Sequence, residues 1–216
     1  MPIIAACIVV AWSGIWYNCN IIIGSNRVFR FIEENTMKDI VITTERLCLK
    51  PLGSKYLETV NAYAMDYENA KCMCRLPNEN VEETVKFLAG VEAEWAKENP
   101  AYFEFAMLYH NEHIGAVGIY FENGVGELAW IVNKKYWRNG FAYEAAKALV
   151  SYFTEHMGTT HFIAHCDAEN VVSYKVMEKL GMTRTGEYGG RRNRAASEDS
   201  VEYQYELHIA FSSRIM

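Results

Sequence analysis

From residue 39 onward, apolar and polar residues fall into a regular order. In DIVITTERLCLKPL (39–52) they alternate, with Leu47 and Leu49 on one face, and the pattern predicts a strand closed by proline. SKYLETVNAYAMDY (54–67) predicts a helix capped by Ser54, with Leu57, Val60 and Ala64 at helical spacing. NENVEETVKFLAGVEAEWAKEN (78–99) predicts a second helix with Val81, Val85, Leu88 and Val91 inward, ended by Asn99-Pro100. AYFEFAMLY, HIGAVGIYF and ELAWIV then read as three strands of a meander, joined by the polar turns around His110 and ENGVG. A loop ending in Gly140 leads into a helix with Ala145, Ala146, Leu149, Val150 and Phe153 on one face. THFIAHCD is a strand. AENVVSYKVMEKLGM is a short helix with Val172, Val176 and Leu180 inward and Gly181 as its stop. TRTGEYG and VEYQYELHI close the chain as strands around the polar loop GRRNRAASED.

The order strand, two helices, three antiparallel strands, helix, strand, helix, two strands predicts a mixed α/β (α+β) fold. Its sheet should be mixed and twisted, with helices on its faces. The unit spanning 127–166 should be a right-handed crossover between parallel neighbours. A ligand is expected at the C-terminal end of ELAWIV, where the loop meets the helix.

Composition narrows the picture. The chain has 216 residues, half of them hydrophobic, enough for one sizeable core. Its net charge of −6 argues against a nucleic-acid partner and leaves room for a cationic substrate such as an amine. The cysteines at 7, 19, 48, 72, 74 and 166 are irregularly spaced and read as reduced thiols of a cytoplasmic protein. His110 and His113, expected in a hairpin turn, supply no four-ligand zinc pattern, nor do His161, His165 and Cys166; no metal is expected. His161 and His165 are four apart in a strand-like run and should share a face. Residues 1–26 carry no charged side chain, but Ser13, Gly14, Asn18 and Asn20 interrupt the stretch and no basic segment precedes it. It reads as an appendage, as a membrane anchor (the least favoured), or as sequence outside the working protein, since Met37 resembles a natural start. The resulting division is an apolar extension over 1–36, a domain over 37–210 and a tail over 211–216.

The chemistry centres on WRNGFA (137–142), directly after a strand and opening a helix. The unpaired N–H groups and dipole of a helix's first turn suit a pyrophosphate. Gly140 lets the backbone come close, Ala142 keeps the turn uncrowded, and Lys134, Lys135 and Arg138 add positive charge. Taken alone, the pattern is equally that of a plain strand–helix turn.

ELAWIVNKKYWRNGFAYEAAKAL followed by DAENVVSYKVMEKLGM resembles the GNAT N-acetyltransferases, nearest the branch of ribosomal-protein N-terminal (RimJ/RimL-like) acetyltransferases, over about residues 38–209. The resemblance implies a mostly antiparallel sheet with a central parallel splay, and acetyl-CoA as co-substrate. It implies that Trp137, Arg138, Asn139, Gly140, Phe141 and Ala142 form the pyrophosphate loop. Here Trp137 stands in place of the usual Gln or Arg, and Arg138 in place of a frequent glycine. It further implies that Trp130, Ile131 and Val132 hold the pantetheine arm through their backbone, with Asn170 and Ser173 touching the cofactor. Asn170 also reads as a helix cap.

Acetyl transfer needs a base for the amine and can use an acid for the departing thiolate. Glu127, where the family often has a glutamate, is the expected base, its pKa raised by partial burial so that it accepts a proton through a water. A solvated strand-end glutamate is the plain alternative. The family's tyrosine acid is replaced by Met177, so Ser173 is the expected acid, with Tyr174 as backup. No cysteine lies in either motif, which implies direct attack in a ternary complex; Cys166 is the thiol to check. The acceptor should be a primary amine, a peptide N-terminus or a small molecule, and family members are often homodimers. The competing reading is a catalytically silent acyl-CoA-binding or sensing module.

Overall fold

The computed structural model describes residues 40–210, so the apolar extension and the tail lie outside the described residues. Eight strands form one sheet in the order β1-β2-β3-β4-β5-β6-β8-β7. They are β1 (Ile42–Thr43), β2 (Leu47–Pro51), β3 (Tyr102–Tyr109), β4 (Glu112–Glu122), β5 (Val125–Val132), β6 (His161–Asp167), β7 (Thr183–Arg191) and β8 (Ser200–His208). The helices are α1 (Leu57–Ala64), α2 (Tyr67–Ala70), α3 (Val81–Trp95), α4 (Phe141–Met157) and α5 (Val171–Lys179). Only β5 and β6 run parallel, and they pair solely at Gly126–Phe162 and Glu127–Ile163. Beyond Glu127 the two strands part, which is the expected central splay. Among the described residues, no helix is long and apolar enough to cross a membrane.

The meander and α4 follow the sequence pattern closely. Phe103, Phe105, Ile119, Leu128, Leu149, Phe153 and Phe162 are buried in one core, with Trp95 edge-on to Phe103 and Phe105 at 5.0 and 5.1 Å. Apolar burial of this kind supplies most of the fold's free energy.

Elsewhere the pattern misleads. The expected first strand is a hairpin: the Thr44 hydroxyl accepts the Leu47 N–H at 2.8 Å and turns the chain between β1 and β2. Ser54 caps no helix, because its N–H and hydroxyl both donate to Glu92, at 2.6 and 2.7 Å. Residues 54–70 accordingly break into a 3-10 turn, α1 and α2, the last capped by Asp66. Helix α3 ends at Trp95 and buries Thr84, Leu88, Val91 and Trp95, leaving Val81 and Val85 exposed. Its face is rotated because the Thr84 hydroxyl bonds Asn61 of α1 and Asn78 of the segment before α3. In α5, Met177 is the inward residue and Val172 is 75% exposed. His110 sits in its turn, but His113 is a buried member of β4.

Candidate active site

Side chains directly opposite one another on neighbouring strands share a sheet face. The register sets Glu104 against Gly118 and Tyr102 against Tyr120. It sets Gly118 against Ala129 and Tyr120 against Glu127. Across the splay, His165 lies opposite Gln204. Glu104, Tyr120, Glu127, His165 and Gln204 therefore form a polar row across the middle of the sheet, at the level where β5 and β6 part.

Glu127 is about half exposed and bonded rather than buried: its Oε1 lies 2.9 Å from His165 Nδ1. The other ring nitrogen of His165 is 3.2 Å from Gln204 Oε1, and Gln204 donates to Glu206 at 2.9 Å. Two acceptors facing both ring nitrogens favour the imidazolium. The His165 pKa is raised, first by its bond to Glu127. His165 was not singled out for catalysis from the sequence; its spacing from His161 said only that the two share a face.

Glu104 is nearly fully buried and bonds the Tyr120 hydroxyl. No cation pairs with it among the described residues, and loss of solvent pushes its carboxyl up to about 7. A Cβ on Gly118 would sit 2.7 Å from Glu104 Oε1, so the glycine is what lets this carboxyl lie across β4. Nothing in the sequence distinguished Glu104 from an outward-facing strand glutamate.

At the other end of β5, the segment 133–140 turns through a short 3-10 helix into α4. Gly140 has φ +78° and Arg138 φ +64°. The left-handed region at Arg138 is where a glycine would be at ease. The N–H groups of residues 138–143 bond no acceptor among the described residues, so the loop offers a run of donors at a helix start. Arg138 and Lys135 carry no partner among those residues, while Lys134 pairs with Asp66 at 2.5 Å. Arg46, which the sequence did not indicate, stacks on Phe141 at 4.7 Å and pairs with Glu144 in the first turn of α4. Of the three residues expected to meet the cofactor arm, Trp130 and Ile131 are half-buried beside the splay. The Val132 carbonyl instead accepts from Asn69 Nδ2 and Trp137 Nε1, both at 2.7 Å.

Asn170 caps α5 by accepting the Ser173 N–H at 3.2 Å. The Ser173 hydroxyl is half-buried and bonds nothing among the described residues. Tyr174 packs edge-on to Tyr203. Cys166 is buried and its thiol is pushed up to about 11 by that burial. The fold does gather His161, Glu206 and His208 with donor atoms within 4.8 Å, a grouping that linear order hid. The Glu206 oxygens are already engaged by His161, Thr185 and Gln204.

The polar loop after β7, with the last residue of that strand, is anchored. Arg191 bonds Glu202 and the Cys72 carbonyl, and Asn193 is buried against Asp167. Arg194 bonds Glu79 and Glu83 at 2.9 Å, and its N–H reaches the Met73 carbonyl at 3.1 Å. Charge pairing in this loop thus ties it to the segment between α2 and α3.

Comparison with known proteins agrees with this geometry. The sequence model of the Acetyltransferase (GNAT) domain matches residues 46–183. An uncharacterized N-acetyltransferase of Bacillus subtilis, YnaD, is 31% identical over 151 residues, covering 67% of this chain and 84% of its own length. A GNAT-family acetyltransferase from Bacillus anthracis superposes with a TM-score of 0.68 at 29% identity, covering 78% of this chain and 98% of that one. RimL, a ribosomal L7/L12 α-N-protein acetyltransferase solved with coenzyme A, superposes with a TM-score of 0.71 at 14% identity, covering 79% of this chain and 98% of that one.

Proposed function

The chain belongs to the GNAT acetyltransferase family, and from that premise we propose that it moves an acetyl group from acetyl-CoA to a primary amine by direct attack within a ternary complex. One observation carries the reading. The run of free N–H donors opening α4 and the Glu127–His165 pair lie at opposite ends of β5, on either side of the splayed segment.

The chemistry of the donor set fits the co-substrate. Residues 138–143 would hold its pyrophosphate through backbone N–H groups, with Arg138 and Lys135 adding charge. Trp130 and Ile131 would hold the arm in the splay, and Asn170 and Ser173 would flank it. Glu127 takes the proton of the acceptor nitrogen through a water, and His165 orients its carboxyl through their bond. Ser173 would give a proton or hydrogen bond to the departing sulfur. A buried Cys166 with a raised pKa is a poor acyl carrier, which favours direct transfer. The carboxylates of Glu127, Glu202 and Glu206 on one face favour a cationic acceptor.

The test is release of free thiol from acetyl-CoA in the presence of peptide N-termini, polyamines and aminoglycosides. Glu127→Gln should lower kcat about 100-fold or more, and Ser173→Ala by less. Unchanged rates in both variants would remove these roles. Binding of acetyl-CoA without thiol release from any amine would favour the silent acyl-CoA-binding module.

A further inference from the structure

Glu104 has no role in the steps above, yet its burial is costly. A carboxyl out of water with no cation beside it weakens a fold, and an apolar residue of similar size would serve packing better. The structure also makes room for it: Gly118 is bare under the carboxyl, and Tyr120 is aimed at it. Tyr120 is partly exposed, stacks on Tyr102 at 5.1 Å, and stands opposite Glu127 in the register. Its hydroxyl therefore joins a buried carboxyl to the face where the amine and Glu127 would meet.

We propose that Tyr120 and Glu104 form a relay that removes the first proton from the incoming ammonium. The reading rests on the acetyl-transfer function above. An amine binds as R–NH3+ and must become R–NH2 before it can attack. The Tyr120 oxygen accepts that proton while its own O–H proton passes to the Glu104 carboxylate. The products are a free amine, an intact Tyr120 hydroxyl and a neutral Glu104 acid, so one positive and one negative charge cancel at a buried site. The second proton, lost from nitrogen after attack, goes to the Glu127 carboxylate, with the His165 imidazolium still bonded to it. Glu104 returns its proton by the same path once the non-basic amide has left. Glu104 thus acts through Tyr120, as a positioning and proton-holding residue.

Its surroundings suit the task. Tyr63 from α1 packs close by and Tyr102 lies on its own strand. Arg75, from the segment between α2 and α3, acts on Tyr102 and Tyr120, and Glu94 and Lys97 act on Tyr102. Desolvation and the Tyr120 bond are what act on Glu104 itself, leaving it near 7, where it can both take and give a proton.

The experiment is the pH dependence of kcat/KM for the acceptor in the full chain with acetyl-CoA, using spermidine, ethanolamine and a serine-terminated peptide. In the unaltered enzyme the rise with pH should fall at one place for every acceptor that turns over. In Glu104→Gln it should move to each acceptor's own ammonium pKa, with about a 100-fold loss at pH 7 and recovery above pH 9, where the amine arrives already neutral. Tyr120→Phe should give the same profile, and the double variant should be no worse than either single one. A loss that is equal at all pH values, or profiles unmoved in both variants, overturns the relay while leaving acetyl transfer standing. No thiol release by the unaltered enzyme from any of these amines refutes the proposed function, and the relay with it.

Discussion

Two buried titratable groups of the sheet, Glu104 and His113, should oppose each other in the pH dependence of stability. Burial raises Glu104 from 4.5 to about 7 and lowers His113 from 6.5 to about 4. Each gap is about 2.5 units, 7 − 4.5 and 6.5 − 4, and at about 1.4 kcal/mol per unit each is worth about 3 kcal/mol. The signs differ. The folded protein binds the Glu104 proton more tightly than the unfolded chain does, so that contribution is complete below pH 4.5 and lost as pH rises through about 7. The folded protein resists charging His113, so that contribution is complete above pH 6.5 and lost as pH falls through about 4. Between about pH 4.5 and 6.5 the two slopes cancel, and the unaltered protein should be nearly flat. Glu104→Gln leaves His113 alone, and stability should then rise by about 3 kcal/mol from pH 4 to 6.5. His113→Phe leaves Glu104 alone, and stability should fall by about 3 kcal/mol from pH 4.5 to 7. Glu206, held down to about 2, and His165, raised by its bond to Glu127, contribute alike to all three curves, so the differences between the curves carry neither. Urea unfolding at constant ionic strength across pH 4–8 measures all three curves. Parallel curves for the variants and the unaltered protein would refute the assignment. The slope is the readout, because the glutamine amide adds donors whose cost does not depend on pH.

Glu127→Gln should also lower the His165 pKa towards its ordinary value, seen by NMR titration of the ring, since the Glu127 bond is the main cause of its elevation. Arg138→Gly should raise the KM for acetyl-CoA several-fold if the guanidinium meets a phosphate, with stability within about 1 kcal/mol because relief of left-handed strain offsets the added chain entropy. Gly140→Val should cost about 1–2 kcal/mol by chemical denaturation and raise the same KM, because φ is +78° there. Arg194→Ala should leave thermal stability within a few degrees, as its ion pairs are exposed, yet quicken proteolysis within residues 71–80 and 192–199 by releasing one loop from the other.

The meander, the parallel crossover and the loop into α4 were legible because each is local. Alternation reads the strands, and Gly140 directly after a strand reads the turn. What misled were polar side chains bonded to distant partners. Ser54 has the look of a cap, but Glu92, 38 residues on, holds it. Thr84 turns the inner face of α3 away from Val81 and Val85 through Asn61 and Asn78. The polar row was only half legible for the same reason. Glu127 could be picked from its place before the loop, whereas Glu104 and His165 acquire their meaning from register pairs that no linear spacing encodes. Arg191 and Asn193 read only as members of a polar loop because their partners, Asp167, Glu202 and the Cys72 carbonyl, lie elsewhere in the chain.

Asn69 has a consequence for the order of events. Its amide donates to the Val132 carbonyl at 2.7 Å and accepts the Lys134 N–H at 2.9 Å, filling both sides of the gap where β5 ends. Asp66, which caps the same short helix, holds Lys134 through its side chain. Helix α2 and the start of the loop therefore move as one body or part at the loss of three bonds. If a ligand in the splay displaces Asn69 from Val132, it also displaces the segment leading to Arg75, to which the loop after β7 is tied. Reciprocity then fixes the rest: the factor by which the first substrate changes affinity for the second equals the factor in the opposite direction. Equilibrium binding of each substrate, with and without the other, would measure that factor from both ends, and abolishing it with Asn69→Ala would assign it to a single amide.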